Sequence, residues 1–343
     1  MIVYLGNKLA GKGKNPTSVD TLGQRLRGIY PDLVSVSSRN FFVSRLFEMW
    51  WTIFYHRNQI NFVIIDTYST LAFHFAWTSA FICRLFSIPY IPIIHGGSFE
   101  NRINKSKKTV TAYLTYAHQV VTPSAFLYKV IEKKLNLTCL IIPNSIDLSQ
   151  FVSAGKVRFH HSPRIFWLRA YQELYNPLLA IEILHLLRSQ YGLDAKLTMV
   201  GPDKDGSLSR VKLRVLELNL SGHVTLLEAL PQSKWVKLAQ ECTLFLNTTT
   251  VDNTPVSLIE AMALGLPIVS SDVGGIPDLI TDGREGCLYP SANAPKAAEL
   301  IHRLHQTPNA WQLASDFAYQ KANTMDWEKS IKPQWKRLLD NYD

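Results

Sequence analysis

The sequence predicts an α/β protein of two Rossmann-like domains, each a parallel sheet wound with helices. Three observations lead there. The runs IVYLG, NFVIIDTYS, PYIPIIHGG, HQVVTPS and CLIIPNSID are short and apolar, end in polar or glycine residues, and alternate with helical stretches, the pattern of parallel strands joined through helices. At 343 residues the chain exceeds what one core usually supports, and its 47% hydrophobic share can fill two. Residues 151–163, with their Gly, Ser and His, read as a linker between a first domain over 1–155 and a second that begins at 163.

From the start, IVYLG reads as a buried strand and GKGKNPTSVDTLGQRL as a loop running into a helix that Thr17 or Ser18 can cap. Gly11 and Gly13 lack the third glycine of a dinucleotide fingerprint, and the loop is not a P-loop. The first apolar run is too short for a signal peptide and gains charge where one should be apolar. Residues 41–55, FFVSRLFEMWWTIFY, are too continuously apolar for a clean one-sided helix. They read either as core plus the wall of an acceptor site, or as a segment resting in a membrane interface with Arg45 and Arg57 nearby. Residues 71–94 are long enough to raise a transmembrane question, but His74, Arg84 and two prolines interrupt them, so a buried helix followed by a strand is expected. The segments HGG, TPS and PNSID follow strands, where open sheets gather ligands. That makes His95 and Asn144 candidates.

Charge is unevenly placed. Residues 1–150 carry 16 Lys+Arg against 7 Asp+Glu, whereas 151–343 carry 20 against 20, so the whole +9 sits in the first half. Such asymmetry fits an anionic partner, either a membrane surface or a phosphate-bearing acceptor, or else a generally solvated basic surface. Nucleic acid is not expected, because the basic residues are scattered and no binding motif is present. Cys83, Cys139, Cys242 and Cys287 form neither a zinc spacing nor a disulfide framework, which suits a cytoplasmic protein, with peripheral contact to the cytoplasmic membrane face as the accompanying expectation.

The second domain opens with RIFWL near Arg164 and continues through the strand and loop AKLTMVGPDKDG, then HVTLLEAL, a helix over 232–240, and CTLFLNTT. Residues 246–280, LNTTTVDNTPVSLIEAMALGLPIVSSDVGGIPDLI, read as loop, helix, short strand and a Gly-Gly turn opening another helix. Pro255 suits a helix's first turn, the helix stops at Gly265, and Thr254 and Ser257 add hydroxyls beside its start. Such a start offers unpaired N–H groups and partial positive charge to a phosphate. Asp252 and Glu260 lie eight positions apart, able to reach one extended ligand from two sides; the plain alternative is a helix cap and a solvated face.

The D-x7-E spacing followed by AMALGLPIVSSDVGGIPDLI resembles the E-x7-E region of retaining glycosyltransferases of the GT-B fold, particularly family 4. The resemblance implies that Asp252 contacts the transferred sugar, Glu260 the ribose, and the backbone at Thr254, Pro255, Val256 and Ser257 the diphosphate. Asp252 is one methylene shorter than the usual Glu. The family's Gly-Arg after the first strand of this domain is matched by Arg169, a diphosphate ligand, but its following Lys is absent: Leu174 and Tyr175 hold those places, and Lys204 is a candidate substitute. His95, followed by Gly96 and Gly97, matches a residue that hydrogen-bonds the donor sugar rather than acting as general base. Gly11 or Gly13 falls near the donor phosphate and the acceptor, and Gly201 and Asn144 complete the donor-binding set. Asp203-Lys-Asp205 follows a strand–Gly–Pro loop, so the D-x-D metal reading is rejected and no metal or cofactor is expected, Arg169 and the helix terminus supplying the positive charge. The resemblance also implies that the terminal helices, from about 320 to 343, return to the first domain, so that the second spans 163–319.

The implied activity is retaining transfer from a UDP- or GDP-linked sugar, as co-substrate, to a glycan, polysaccharide or lipid-linked acceptor by a front-face route. Two alternatives stand: a sugar-nucleotide epimerase or hydrolase on the same fold, and a non-catalytic sugar-nucleotide binding or scaffold protein.

Overall fold

The computed structural model describes residues 1–8, 17–152 and 159–340. Gly11 and Gly13 lie outside the described residues. The chain divides into two compact units, Met1–Pro143 with the end of the chain from Trp335, and Asn144–Gln334.

In the first unit the order is β1 (Ile2–Leu5), α1 (Ser18–Arg27), β2 (Val34–Val36), α2 (Phe42–His56), β3 (Phe62–Thr67), α3 (Phe73–Leu85), β4 (Tyr90–Ile94), α4 (Phe99–Lys105), α5 (Lys107–Thr115), β5 (Val121–Thr122), α6 (Ala125–Leu135) and β6 (Leu140–Ile141). The six strands are all parallel, in the spatial order β2-β1-β3-β4-β5-β6. The order in which the chain adds strands reverses between β1 and β3, which makes the crevice beyond their carboxyl ends the natural ligand position. Gly6 follows β1, Asp66 and Thr67 end β3, and His95 follows β4. Every residue of β3 is buried, Asp66 included.

Helix α2 carries apolar residues on both its covered and its outer side, as the continuous apolar run in the sequence predicts. Met49 and Ile53, four positions apart, are buried in the first unit's core, while most of the remaining apolar residues face outward. Residues 71–94 form α3 and β4, as the sequence predicts.

The second unit runs α7 (Ser149–Val152), β7 (Arg164–Leu168), α8 (Pro177–Ser189), β8 (Lys196–Val200), α9 (Ser207–Glu217), β9 (Val224–Leu227), α10 (Gln232–Gln240), β10 (Leu244–Asn247), α11 (Val256–Ala263), β11 (Ile268–Ser271), α12 (Ile276–Leu279), β12 (Gly286–Tyr289), α13 (Ala294–Gln306) and α14 (Pro308–Asn323). Its parallel sheet is ordered β12-β11-β10-β7-β8-β9, so the reversal falls between β7 and β10. Phe166, Trp167, Phe245 and Tyr289 fill its core, and Trp311 of α14 joins them, its indole N–H donating to the Thr243 carbonyl at 2.6 Å.

Residues 144–152 and 320–334, which the sequence reading places with the first domain, group here with the second unit. The Ile146 N–H donates to the Met325 carbonyl at 3.0 Å and the Trp327 N–H to the Ile146 carbonyl at 2.8 Å. The last helix, α15 (Lys332–Asp340), begins in the second unit and ends in the first, where Tyr30 donates its hydroxyl to the Asp340 carboxylate. The four cysteines are unpaired, and among the described residues no helix is long and apolar enough to cross a membrane.

Candidate active site

In the second unit Arg169 follows β7 and the loop carrying Asp252 follows β10, on either side of the sheet reversal. The Arg169 guanidinium ion-pairs with the Asp252 carboxylate and lies 4.7 Å from the centre of the Tyr175 ring. Its Nε is buried without a hydrogen-bond partner, a donor left for a ligand atom to meet. Two glycines make this geometry possible. A Cβ on Gly201 would stand 1.6 Å from the Arg169 carbonyl oxygen, and one on Gly274, whose φ is +56°, would stand 1.9 Å from that of Asp252. Gly201 therefore backs Arg169, and Gly274 lets the Gly-Gly turn pass beneath the acidic loop.

Where the resembled family has its Lys, a short 3₁₀ turn over Glu173–Tyr175 stands instead. The threonine run after β10 is stitched to it. Thr250 donates both its N–H and its hydroxyl to the Leu174 carbonyl, each at 2.9 Å, and the Thr248 hydroxyl donates to the Tyr175 carbonyl at 2.7 Å. The Trp167 indole N–H donates in turn to the Thr248 hydroxyl at 3.0 Å. These bonds fix Tyr175 against the loop that carries Asp252. Lys204 is exposed on the loop after β8, and its side chain takes part in none of these contacts. Asp203 and Asp205 serve the start of α9: Asp203 accepts from the Gly206 N–H at 3.0 Å, and Asp205 from the Ser207 N–H at 3.1 Å and the Glu173 N–H at 2.8 Å. The Ser207 hydroxyl, followed by the Glu173 N–H, holds the Asp205 carboxyl below its usual range.

Pro255 is the N-cap of α11, with extended backbone, rather than a member of its first turn, which corrects the sequence expectation. Val256 opens the helix exposed, and the Ser257 hydroxyl is buried with no hydrogen-bond partner. Asn144 donates its side-chain amide to the Thr254 carbonyl at 2.9 Å, so it clamps the segment before α11. Glu260 follows within α11, half-buried. The structure thus joins Arg169, Asp252 and Gly201 in one cluster and Asn144 with Thr254 in another.

His95 belongs to the first unit. Its backbone N–H donates to the Thr67 carbonyl at 2.8 Å, and its Nε2 lies 2.8 Å from Asp66 Oδ1. The Tyr4 hydroxyl donates to the same oxygen at 2.9 Å, and the Tyr68 ring stacks on the imidazole at 5.1 Å. The other carboxylate oxygen, Oδ2, is buried without a hydrogen-bond partner, and Asp66 lines a small cavity with Gly6, Asn7 and Tyr68. Burial first, and the Asp66 charge second, push the Tyr4 and Tyr68 phenols well above their ordinary range, so both stay protonated donors or ring surfaces. Sequence reasoning missed Asp66, Tyr4, Tyr68 and the threonine run. Asp66 was within reach, since it ends a buried strand at a sheet reversal; Tyr4 gives no such signal.

The chain is 28% identical to the amylovoran biosynthesis glycosyltransferase AmsK of Erwinia amylovora, over 68% of this chain and 60% of that protein. It is 22% identical to the GDP-mannose:cellobiosyl-diphosphopolyprenol alpha-mannosyltransferase of Xanthomonas campestris, over 74% of this chain and 66% of that one. Among solved structures, Alr3699/HepE of Anabaena in complex with UDP superposes with a TM-score of 0.77 at 14% identity, covering 99% of each chain; the same protein is also seen with UDP-glucose. Likeness at that identity is one of fold, and with the two parallel sheets it defines a GT-B protein. Residues 153–323 match the family described as Glycosyl transferases group 1.

Proposed function

We propose that the protein transfers a sugar, with retention, from a UDP- or GDP-linked donor to a hydroxyl of a glycan, polysaccharide or lipid-linked acceptor. The observation that carries the reading is the Arg169–Asp252 pair beside the start of α11, inside the segment that matches the group 1 family. Arg169 and the first N–H groups of α11 take the diphosphate and stabilise charge on it as the glycosidic bond breaks. Glu260 holds the ribose, Asp252 orients the sugar, and His95, steadied by Asp66, hydrogen-bonds a sugar hydroxyl. The acceptor hydroxyl attacks from the face the diphosphate leaves, its proton passing to the departing phosphate, with no metal required. UDP bound to the Anabaena neighbour and the GDP-mannose in the Xanthomonas relative's name support the donor class; the diphosphopolyprenol in that name supports a lipid-linked acceptor. Unpaired cysteines suit a reducing, cytoplasmic setting.

One observation favours a second reading, a sugar-nucleotide binding protein without turnover: Tyr175 stands where the family's phosphate-binding Lys would be. The test is thermal stabilisation by UDP, GDP, CDP and NAD, with and without a chelator, for wild type, Arg169→Ala and Glu260→Ala. A ligand that binds only the folded protein at a hundredfold excess over its Kd adds about 2.7 kcal/mol of stability. Chelator-resistant stabilisation by one nucleoside diphosphate, lost in both variants, is expected. Sugar transfer from the matching donor then separates catalysis from binding alone, and stabilisation by none of the four sinks the donor site.

A further inference from the structure

Helix α2 buries one side and exposes a second apolar side. Met49 is 1% exposed and Ile53 is fully buried, whereas Phe41 is 80%, Trp51 63% and Tyr55 67% exposed. Val43, Phe47, Trp51 and Phe54 recur at three- and four-residue intervals, so they form one stripe opposite Met49 and Ile53. The stripe continues beyond its helix: Trp51 packs on Phe54 at 5.9 Å, and Phe54 on Phe86, just after α3, at 5.9 Å. Phe81 and Leu85 of α3 are exposed as well. Apolar surface of this extent marks an interaction site.

Charge selects the partner. The Arg57 guanidinium lies 4.6 Å from the Phe54 ring centre and 5.8 Å from that of Phe86, and Arg84 lies 3.7 Å from that of exposed Tyr116. Cations resting on exposed rings suit the boundary between acyl chains and headgroups, as do Trp and Tyr themselves. A second copy of this chain, docked face to face, would set the arginines of one basic surface against those of another. An anionic headgroup layer attracts them instead.

We propose that the outer face of α2, extended by Phe86 and edged by Arg57 and Arg84, docks on an anionic lipid bilayer with the helix lying in the plane of the interface. This goes beyond the transfer reading and does not depend on it.

The test is flotation of the full chain with vesicles of phosphatidylcholine alone, or mixed with phosphatidylglycerol. Wild type is expected to float with the mixed vesicles and far less with the neutral ones. A Phe47→Ser, Trp51→Ser variant should bind at least about tenfold more weakly, since two large apolar side chains no longer leave water. Arg57→Ser and Arg84→Ser should each weaken binding about fivefold. Because Phe47, Trp51 and Arg84 are exposed and Arg57 is only half-buried, melting and nucleotide stabilisation should match wild type; losing nucleotide stabilisation alone would sink the transfer reading and leave this one standing. Equal binding to neutral and mixed vesicles, or variants that bind like wild type, would overturn the proposal. So would a wild-type dimer, ignoring vesicles, that the Phe47 and Trp51 changes dissociate.

Discussion

The two units reverse strand order at comparable places and furnish the resulting crevice differently. In the second unit, Arg169 and Asp252 are a partly open pair, with side chains 13% and 18% exposed, and the cation retains an unused buried donor at Nε. In the first, the Asp66 side chain is wholly buried, and its visible work is to hold His95 through Nε2 and to accept from Tyr4. One carboxylate restrains a cation that a ligand can claim; the other sets the direction of an imidazole. A shared topology thus fixes where ligands gather and leaves the polarity of the site to a few side chains.

The largest effect that would break this division comes from the first unit. An Asp66 Oδ1 that accepts from His95 Nε2 leaves Nδ1 as the acceptor through which, in the proposed reading, His95 meets a sugar hydroxyl. Asp66→Asn removes the charge and offers the imidazole a different partner, so transfer should fall about tenfold to a hundredfold. Nucleoside-diphosphate stabilisation, assigned to the second unit, should persist. The ¹⁵N shifts of His95 should also move away from the pattern of an Nε2-protonated ring. Unchanged shifts would show that Asp66 does not set the tautomer, and a parallel loss of nucleotide binding would show that the two regions do not act separately.

A smaller effect of opposite sign is expected in the second unit. If Arg169 takes the diphosphate as proposed, its ion pair with Asp252 competes with that ligand. Asp252→Asn removes that competitor, and for a partly exposed pair the gain is about 1 kcal/mol, or roughly fivefold tighter nucleoside-diphosphate binding. Transfer should nevertheless decline, because the carboxylate proposed to orient the sugar is lost. Calorimetric titration beside an activity assay reads both; weaker binding in the variant would mean that Asp252 supports Arg169 rather than competing with it.

The same contrast explains what the sequence discloses. The second unit's site is built largely by backbone, and backbone leaves marks in sequence: Gly201 and Gly274 stand where a Cβ has no room, Pro255 stands at the mouth of α11, and Asp252 and Glu260 keep their spacing. The parallel-sheet alternation was equally legible, because each buried strand is a short apolar run. The first unit's site depends on pairings over long separations, Tyr4 with Asp66 and Asp66 with His95, which no local pattern encodes. The outer face of α2 stays open between two readings in sequence for a related reason. Its apolar composition is plain in sequence, but which side is covered depends on what packs there. Likewise, the 144–152 segment sides with the second unit through its bonds to Met325 and Trp327, partners far along the chain.

The smallest effect concerns how the second unit meets acid. His305 of α13 lies with its Nε2 2.5 Å from the His161 carbonyl, to which it donates, and its Nδ1 is buried without a partner. Burial first, with His161, His160 and His302 nearby, lowers its pKa below the ordinary value. The sign follows from linkage. The unfolded chain takes up this proton at about pH 6.5, whereas the folded chain resists it until lower pH, so the contribution of His305 is complete above about pH 6.5 and is lost as pH falls from there. His305→Gln keeps a donor for the His161 carbonyl and cannot titrate. The drop in melting temperature between about pH 7.5 and about pH 5.5 should therefore be smaller than in wild type, by roughly 1–2 °C. Parallel melting curves for the two proteins would assign the acid response to other groups, and a larger drop in the variant would reverse the sign argued for His305.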